Sequence, residues 1–263
     1  MLKRTRLDHY LRELYEYKNF EDFCYNGLQV EGSDGISKIA FGVTLNDLLI
    51  ERAVQKDVDA LIVHHGFFGK AFLSIQNRKK RMIEQLILNG ISLFGIHLPM
   101  DAHPDIGHNA LLFNALEATP EMEFDHGFIG KNRTKQSLDE MMKRLSDFLL
   151  MKDRIAFRFE SPFNVFMENG FIKVINGPTI PDRIAIISGG AARSFEKAID
   201  LGVDTFFCGE IKEDIPSLAY DRCCNFINLT HHNSEKPGLL KLAEKIRQEL
   251  SVDTEFIDLP NPV

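Results

Sequence analysis

Two stretches decide how this chain is read: KIAFGVTLNDLLIERAVQKDVDALIV, residues 38–63, and RIAIISGGAARSFEKAIDLGVDTFFC, residues 183–208. They align without a gap at a constant spacing of 145 residues. Ile39/Ile184, Ala40/Ala185, Glu51/Glu196, Ala53/Ala198, Val58/Val203 and Asp59/Asp204 are identical pairs, and most others keep their type. Each stretch reads as an apolar strand, an amphipathic helix and a second apolar strand. Any two strand–helix–strand units look alike, but here both strands and the helix fall in register, which points to an internal duplication. A third strand closes each unit. ISLFGIHLPMD ends in His97-x3-Asp101, and FINLTHHNSE ends in His231-x3-Glu235, both residues now 134 apart.

The same alternation extends outward. SKIAFGVT, ALIVH and ISLFGIH read as strands, with helices over LNDLLIERAVQKD, RKKRMIEQLILNG and GHNALLFNALEA. A second run gives strands DRIAIIS, VDTFFCG and NFINLTH, helices over RSFEKAIDLG and near Ser217, then the helix GLLKLAEKIRQEL and a final strand TEFIDL. Between them, residues 125–181 read as short strands (RIAFRF, GFIKVI) around one helix, SLDEMMKRLSDFLL. The pattern predicts an α/β fold of two related lobes. The expected boundaries are 1–124 plus 226–263 for the first lobe, with most of the candidate ligands, and 125–225 for an inserted second lobe. The N-terminal MLKRTRLDHYLRELYEY has Leu7, Tyr10, Leu11 and Leu14 on one helical face and no apolar leader.

Composition narrows the function classes. The net charge of −7, with no basic block, argues against nucleic acid as the main partner, because phosphate binding leaves a basic footprint. No apolar run reaches the roughly 20 residues of a membrane span. Cys24, Cys208, Cys223 and Cys224 lack the paired spacing of a zinc or disulfide framework, which fits a reducing cytoplasm.

The nine histidines divide unevenly. His9, His126 and His108 carry no constellation, and His103 lies in a polar turn expected to be solvated. By contrast, His64-His65, His97…Asp101 and His231…Glu235 each follow an apolar strand, where ligands of open α/β sheets bind. Gathering imidazoles and carboxylates there is costly unless something pairs them, and a divalent cation is the natural partner. Six candidates, two of them carboxylates, exceed what one tetrahedral ion needs. They suggest two ions roughly 3.5–4 Å apart. Adjacent histidines on a strand point to opposite faces, so Gly66 is expected to permit a turn that lets both serve. A structural zinc site would more often use cysteine and be closed.

NGLQVEG (26–32), IVHHGFFG (62–69), HLPMDAHPDIGHN (97–109), CGEIKE (208–213) and THHNSEKPGLLKLAE (230–244) resemble, in order, the signature blocks of the GTP cyclohydrolase 1 type 2 homologue family, also called Nif-three-like. The length is similar to the short members without an inserted domain. The resemblance implies two α/β lobes of Nif-three-like type with a dinuclear metal site between them, and a ring-shaped homohexamer. Its metal ligands fall on His64, His65, Asp101, His231 and Glu235. His97 matches a further site histidine, either a near-site residue or a sixth ligand. His232 either stands behind the ligands, or faces substrate, or is a solvated loop residue. Two features depart from the commonest pattern: Phe67-Phe68 after HHG, and Thr230 where glycine is frequent.

The expected function is a metal-dependent hydrolase holding two divalent ions per subunit (Zn, Mn, Fe or Ni) and acting on a nucleotide-like or phosphorylated small molecule. Glu235 and His97 are its candidate catalytic residues. Glu210 aligns with His65 in the duplicated unit, and a bond to a ligand, a hold on a metal water or a helix cap all remain open for it. SGGAARS (188–194) is read as an ordinary tight turn ahead of a phosphate-binding helix N-terminus. The rival class is a metal-stabilised ring that binds a protein partner without turnover. In that case Asp101→Ala lowers stability or partner binding with no activity to lose, whereas the hydrolase loses turnover with its fold intact. A ring threading single-stranded nucleic acid is disfavoured by the acidic composition.

Overall fold

The computed structural model describes residues 1–69, 74–149, 157–158, 161–168 and 170–261. In chain order its elements are β1 (Leu2–Lys3), α1 (Arg4–Tyr15), β2 (Gly27–Val30), β3 (Gly35–Ile36), β4 (Lys38–Thr44), α2 (Asp47–Gln55), β5 (Ala60–His65), α3 (Asn77–Leu88), β6 (Ser92–Gly95) and α4 (Leu98–Ala102). Then come α5 (His108–Ala115), β7 (Thr119–Phe124), β8 (Gly127–Lys131), α6 (Leu138–Phe148), β9 (Phe157–Arg158), β10 (Val165–Glu168) and β11 (Phe171–Ile175). They are followed by β12 (Arg183–Ile187), α7 (Phe195–Asp200), β13 (Thr205–Cys208), α8 (Ile215–Asp221), β14 (Asn225–Asn228) and α9 (His231–Ser234). α10 (Pro237–Leu250) and β15 (Asp253–Phe256) end the order. No helix among the described residues is long and apolar enough to cross a membrane.

The chain forms two compact units, Met1–Ile106 with Gly238–Leu259 and Gly107–Pro237 with Pro260–Val263. These bounds differ from those expected. β14 pairs in parallel with β13 and antiparallel with β11, and Phe226 and Ile227 are buried in the second unit's core. His231 and Glu235, just after β14, therefore belong to the second unit rather than the first. Of the expected strand RIAFRF, only Phe157–Arg158 lies among the described residues.

In the first unit the sheet order is β15-β4-β5-β6-β2, with β15, β4, β5 and β6 parallel. Parallel strands are covered on both faces and so carry near-continuous apolar runs. Alternate residues of each strand enter opposite layers. Ile39, Phe41, Ile62 and Phe94 meet α1 and α10 through Leu7, Leu11, Leu239, Leu242 and Ile246. Ala40, Leu61, Val63 and Leu93 meet α2 and α3 through Leu49, Ile50, Ala53, Met82 and Leu86. α2 starts where Asn46 Oδ1 accepts the Leu49 amide at 2.8 Å, an N-cap that leaves the histidine-bearing strand end β5 to follow a short, well-defined helix.

In the second unit the order is β7-β8-β12-β13-β14-β11-β10-β9. One layer joins Ile184, Ile186, Phe207 and Ile227 to α5 and α6, and the other joins Ala185, Ile187, Phe206 and Phe226 to α7 and α8. α6 begins with a capping box between Ser137 and Glu140. The hairpin β7–β8 is absent from the sequence reading, because TPEMEF is almost wholly exposed and carries no apolar alternation.

The duplication is visible bond by bond. β4 pairs with β5 at Ile39↔Ala60, and β12 pairs with β13 at Ile184↔Thr205, each member displaced by the same 145 residues. Asp59 Oδ2 accepts the amides of Ser37 and Lys38 at 2.7 and 3.1 Å. Asp204 Oδ2 accepts those of Asp182 and Arg183 at 2.8 and 3.1 Å. The identical Asp59/Asp204 pair is thus a buckle that fixes the start of the preceding strand. Replacing either by alanine removes two charge-assisted bonds at a half-exposed site. We expect about 1–2 kcal/mol of lost stability for Asp59→Ala and Asp204→Ala alike, read from urea midpoints. A loss from one but not the other would show that the buckles are not equivalent.

The third strands shift the frame. Ser92 and Asn225 donate to the backbone oxygens of Asp59 and Asp204, and Ile96 and Leu229 to those of Val63 and Cys208. These pairs are 133 residues apart, not 134. The structural counterpart of His97 is therefore Thr230, and the two His-x3-carboxylate steps are offset by one residue.

Candidate metal centre

The first donor set lies at the carboxyl ends of β5 and β6. His64 is fully buried, His65 half-buried, and His97 and Asp101 buried. The ring centroids lie 4.6 Å apart for His64–His65, 5.0 Å for His64–His97 and 5.7 Å for His65–His97. One donor nitrogen from each ring lies within 4.8 Å of the others. His64 Nε2 stands 3.5 Å from Asp101 Oδ2. Asp101 is carried in by α4, the single helical turn that His97 begins.

Each ring is oriented from behind through Nδ1. His64 Nδ1 meets the Ile96 carbonyl at 2.9 Å, and because a carbonyl only accepts, the proton sits on Nδ1 and the lone pair on Nε2. Thr44 Oγ1 lies 3.0 Å from His65 Nδ1, and Asp22 Oδ1 lies 2.9 Å from His97 Nδ1. Asp22 is absent from the sequence reading. Its side chain is 2% exposed and accepts four hydrogen bonds. Oδ1 takes the Cys24 amide and His97 Nδ1, while Oδ2 takes Asn26 Nδ2 and the Leu98 amide. Burial works against its ionisation, but the bonds from His97, the Cys24 amide and Asn26 outweigh that and hold the carboxyl at about 2.

Gly66 does not play the expected role. Its φ lies outside the left-handed range. A Cβ there would meet Gln29 Oε1 at 2.4 Å, and one at Gly95 would meet Gln29 Nε2 at 2.4 Å. The Gln29 carboxamide occupies a slot between the two glycines. Its Oε1 accepts the Phe67 amide at 2.7 Å, and its Nε2 donates to the Tyr25 and Phe67 carbonyls at 2.7 and 3.2 Å. Room for this clamp, rather than an unusual turn, is what requires glycine. Phe68 stacks on the largely exposed Phe23 at 5.3 Å, and both rings meet His97 edge-on.

The second donor set belongs to the other unit. His231 opens the short helix α9 and Glu235 caps its end. His231 Nε2 lies 3.1 Å from Glu235 Oε1, and its Nδ1 lies 2.7 Å from Glu210 Oε1. Of the readings open for Glu210, the bond to a candidate ligand is the one observed. Burial pushes His231 down, but the bonds and charges of Glu235 and then Glu210 outweigh it and raise it to about 9. Thr230 stands before it at φ 64°, ψ 143°. A β-branched residue rarely holds that conformation, which marks local backbone strain beside the site. The Asn233 side chain donates to Thr230 Oγ1 at 2.7 Å, and Asn228 Oδ1 accepts the Thr230 amide at 2.8 Å.

Within SGGAARS the chain bends at Gly189, at φ +65°, and Gly190, and Ala192–Ser194 form a single 3-10 turn that runs into α7. A Cβ on Gly189 would lie 2.3 Å from Glu235 Oε1, and one on Gly190 would lie 3.1 Å from Glu210 Oε2. The loop is shaped to admit two carboxylates, so a phosphate there would face like charge.

The other histidines fall as follows. His9 and His126 are exposed, and His9 pairs with Glu13 on the helix surface. His103, expected to be solvated, is half-buried: its ring meets Tyr15 edge-on at 5.5 Å, and its Nδ1 accepts the Asp105 and Ile106 amides. His108 and His232 are both buried. All four cysteines are free. Burial, and next the charge of Asp22, push the Cys24 thiol up to about 12, and burial pushes Cys208 up to about 11, so neither offers a thiolate near neutrality. The donor sets are thus imidazole and carboxylate alone, chemistry that suits zinc, manganese, iron or nickel.

This architecture, a duplicated α/β unit with histidine and carboxylate donors at its strand ends, defines a class of candidate metal-binding proteins. The chain belongs to the Duf34/NIF3 (NGG1p interacting factor 3) family, which it matches over residues 2–262. It is 31% identical over 262 residues to the GTP cyclohydrolase 1 type 2 homolog of Haemophilus influenzae, covering 99% of this chain and all of that one. A solved structure titled as protein ybgI, of unknown function, superposes with a TM-score of 0.85 at 31% identity over the whole of both chains. TTHA1606 from Thermus thermophilus does so at 0.83 and 26%, again over both full chains.

Proposed function

We propose that the two donor sets hold two divalent ions per chain and that the protein is a metal-dependent hydrolase of a nucleotide-like or phosphorylated small molecule. The observation that carries this reading is the set of three imidazoles with every Nδ1 engaged from behind and donor nitrogens within 4.8 Å of one another. Such second contacts are how ligating histidines are oriented. His64, His65, Asp101, His231 and Glu235 would hold the ions, with His97 as sixth donor. When bound, the ions supply a Lewis acid and an acidified water. Glu210 keeps the proton on His231 Nδ1, so that Nε2 is the nitrogen offered. Glu235, whose Oε1 faces His231, is the residue proposed to exchange protons with substrate through its other oxygen, and His97, with Nδ1 on Asp22, is proposed to serve catalysis as a donor rather than as a proton carrier. Homohexamer formation and a cytoplasmic setting belong to the same reading, the latter supported by four free thiols.

The test is metal per chain, by elemental mass spectrometry on protein purified without a metal-affinity tag. We expect close to two ions in the wild type and one or none in His65→Ala. One ion or fewer in fresh wild type, with no uptake of zinc, manganese, iron or nickel, would sink the two-ion reading and leave the partner-binding ring.

A further inference from the structure

We propose that the loop Asp22–Asn26 is the positioning device of the centre: Asp22 and Asn26 lock His97 so that Nε2 presents its lone pair to the cation. This rests on the two-ion reading above and adds to it residues from a segment that carries no donor of its own.

His97 differs from the other two imidazoles of its set. His64 and His65 are members of β5, and the ladder with β4, which runs on to Thr44↔His65, fixes their backbone. His97 lies beyond the end of β6, where no ladder bond holds it. The loop supplies the missing restraint. Asn26 Oδ1 accepts the His97 amide at 2.8 Å, which holds the backbone. Asp22 Oδ1 accepts from His97 Nδ1 at 2.9 Å, which holds the ring and places the proton on Nδ1. Asn26 Nδ2 and the Leu98 amide tie Asp22 Oδ2 at 3.0 Å each, so the carboxylate cannot swing away from the ring. Phe23, between the two polar residues, covers the ring edge at 5.0 Å. The loop is in turn fixed to the segment after the histidine pair by the Cys24–Phe68 bridge and by Gln29. One loop thereby sets both the imidazole that lies outside the sheet and the turn that follows His64 and His65. The second unit has a parallel arrangement in Glu210 and His231. Each donor set therefore contains one histidine backed by a carboxylate, the pairing that raises ligand basicity at metal sites.

The geometry makes two demands that a merely structural loop would not. In the metal-free wild type, at a pH where His97 is neutral, its imidazole must be the Nδ1–H tautomer. Free histidine favours Nε2–H, so nitrogen chemical shifts read by long-range proton–nitrogen NMR separate the two. In Asp22→Asn one of the two acceptor oxygens becomes an NH2 donor, so either the Asn26 and Leu98 donors or the Cys24 amide and His97 Nδ1–H lose their acceptor, and the negative charge behind the ring is gone. Titration with cobalt(II), followed by visible absorption, should then show a dissociation constant weaker by about ten- to a hundredfold at one site, with an altered band shape. The thermal transition of each metal-free protein checks that it is folded. The Nε2–H tautomer in the wild type would overturn the proposal, as would a folded Asp22→Asn that binds cobalt with wild-type affinity and spectrum. If Asp22→Asn does not fold, the tautomer in the wild type decides alone. Failure of the wild type to bind cobalt would remove the two-ion reading, and the tautomer would still report whether the loop sets the ring.

Discussion

Gly189→Ala should fold and yet lose metal. The methyl group would lie 2.3 Å from Glu235 Oε1 and 3.3 Å from His231 Nε2, both at the ends of side chains. The fold can yield there by moving the carboxylate. The left-handed φ of +65° adds a backbone cost of about 1–2 kcal/mol for any residue with a Cβ. We therefore expect a fall in stability of that order and no more, read from the urea midpoint. The site has no such latitude. Glu235 is one of only two donors proposed from the second unit, and a displacement of an ångström removes it from ligand distance. Metal content should drop by about one ion per chain. Full metal content in a folded Gly189→Ala would mean that Glu235 Oε1 is not a ligand. Extensive unfolding would mean that the turn, rather than the carboxylate, is what glycine protects.

The largest stability effect is expected at the Gln29 slot. Gly66→Ala would place a methyl 2.4–2.9 Å from three atoms of the carboxamide. Expelling that group breaks its bonds to the Phe67 amide and to the Tyr25 and Phe67 carbonyls, in surroundings that are partly buried. At about 1 kcal/mol for each net bond, and more for a buried group left unpaired, the loss is about 2–4 kcal/mol. Gln29→Ala should cost about the same by removing the carboxamide directly. The decisive measurement is the double variant. If both changes act through one amide, Gln29→Ala/Gly66→Ala should be no less stable than either alone, a coupling of about 2 kcal/mol or more against additivity. Additive losses would show that Gly66 is needed for its backbone after all.

Much of the scaffold was legible in the sequence because parallel strands buried on both faces are apolar runs, and the helices between them repeat every 3.6 residues. The duplicated unit could be read to the residue, since the spacing of 145 reappears in the ladders and in the Asp59 and Asp204 buckles. The donor residues stood out because imidazole after an apolar strand has no ordinary use. Three kinds of feature were hidden. α4 and α9, of five and four residues, are too short for a period to register, so the one-residue slip between the His-x3-carboxylate steps could not be seen. The edge strand β7 is exposed and charged, which masks its alternation. Asp22, Asn26 and Gln29 act through bonds to residues 38 to 76 positions away. A lone polar side chain in a loop gives no sign of such reach. Its only trace was the motif NGLQVEG, which contains Asn26 and Gln29 but begins after Asp22.

The first unit is interrupted by the second, and this sets an order of events on the ribosome. His64, His65, His97 and Asp101 are all synthesised before the second unit begins at Gly107. The unit that holds them is still open at that moment. Its edge strand β4 waits for β15, and the layer around Leu7 and Leu11 waits for Leu239, Leu242 and Ile246 of α10. The second unit emerges almost complete in the meantime and is free to fold first. Closure of the first unit's apolar layer and of its β4 edge comes only once α10 and β15 have emerged. A nascent chain stopped anywhere before α10 would present those histidines on an unfinished sheet. α10 and β15 are therefore the elements that complete the first unit, although the segment that carries its histidines is made long before them.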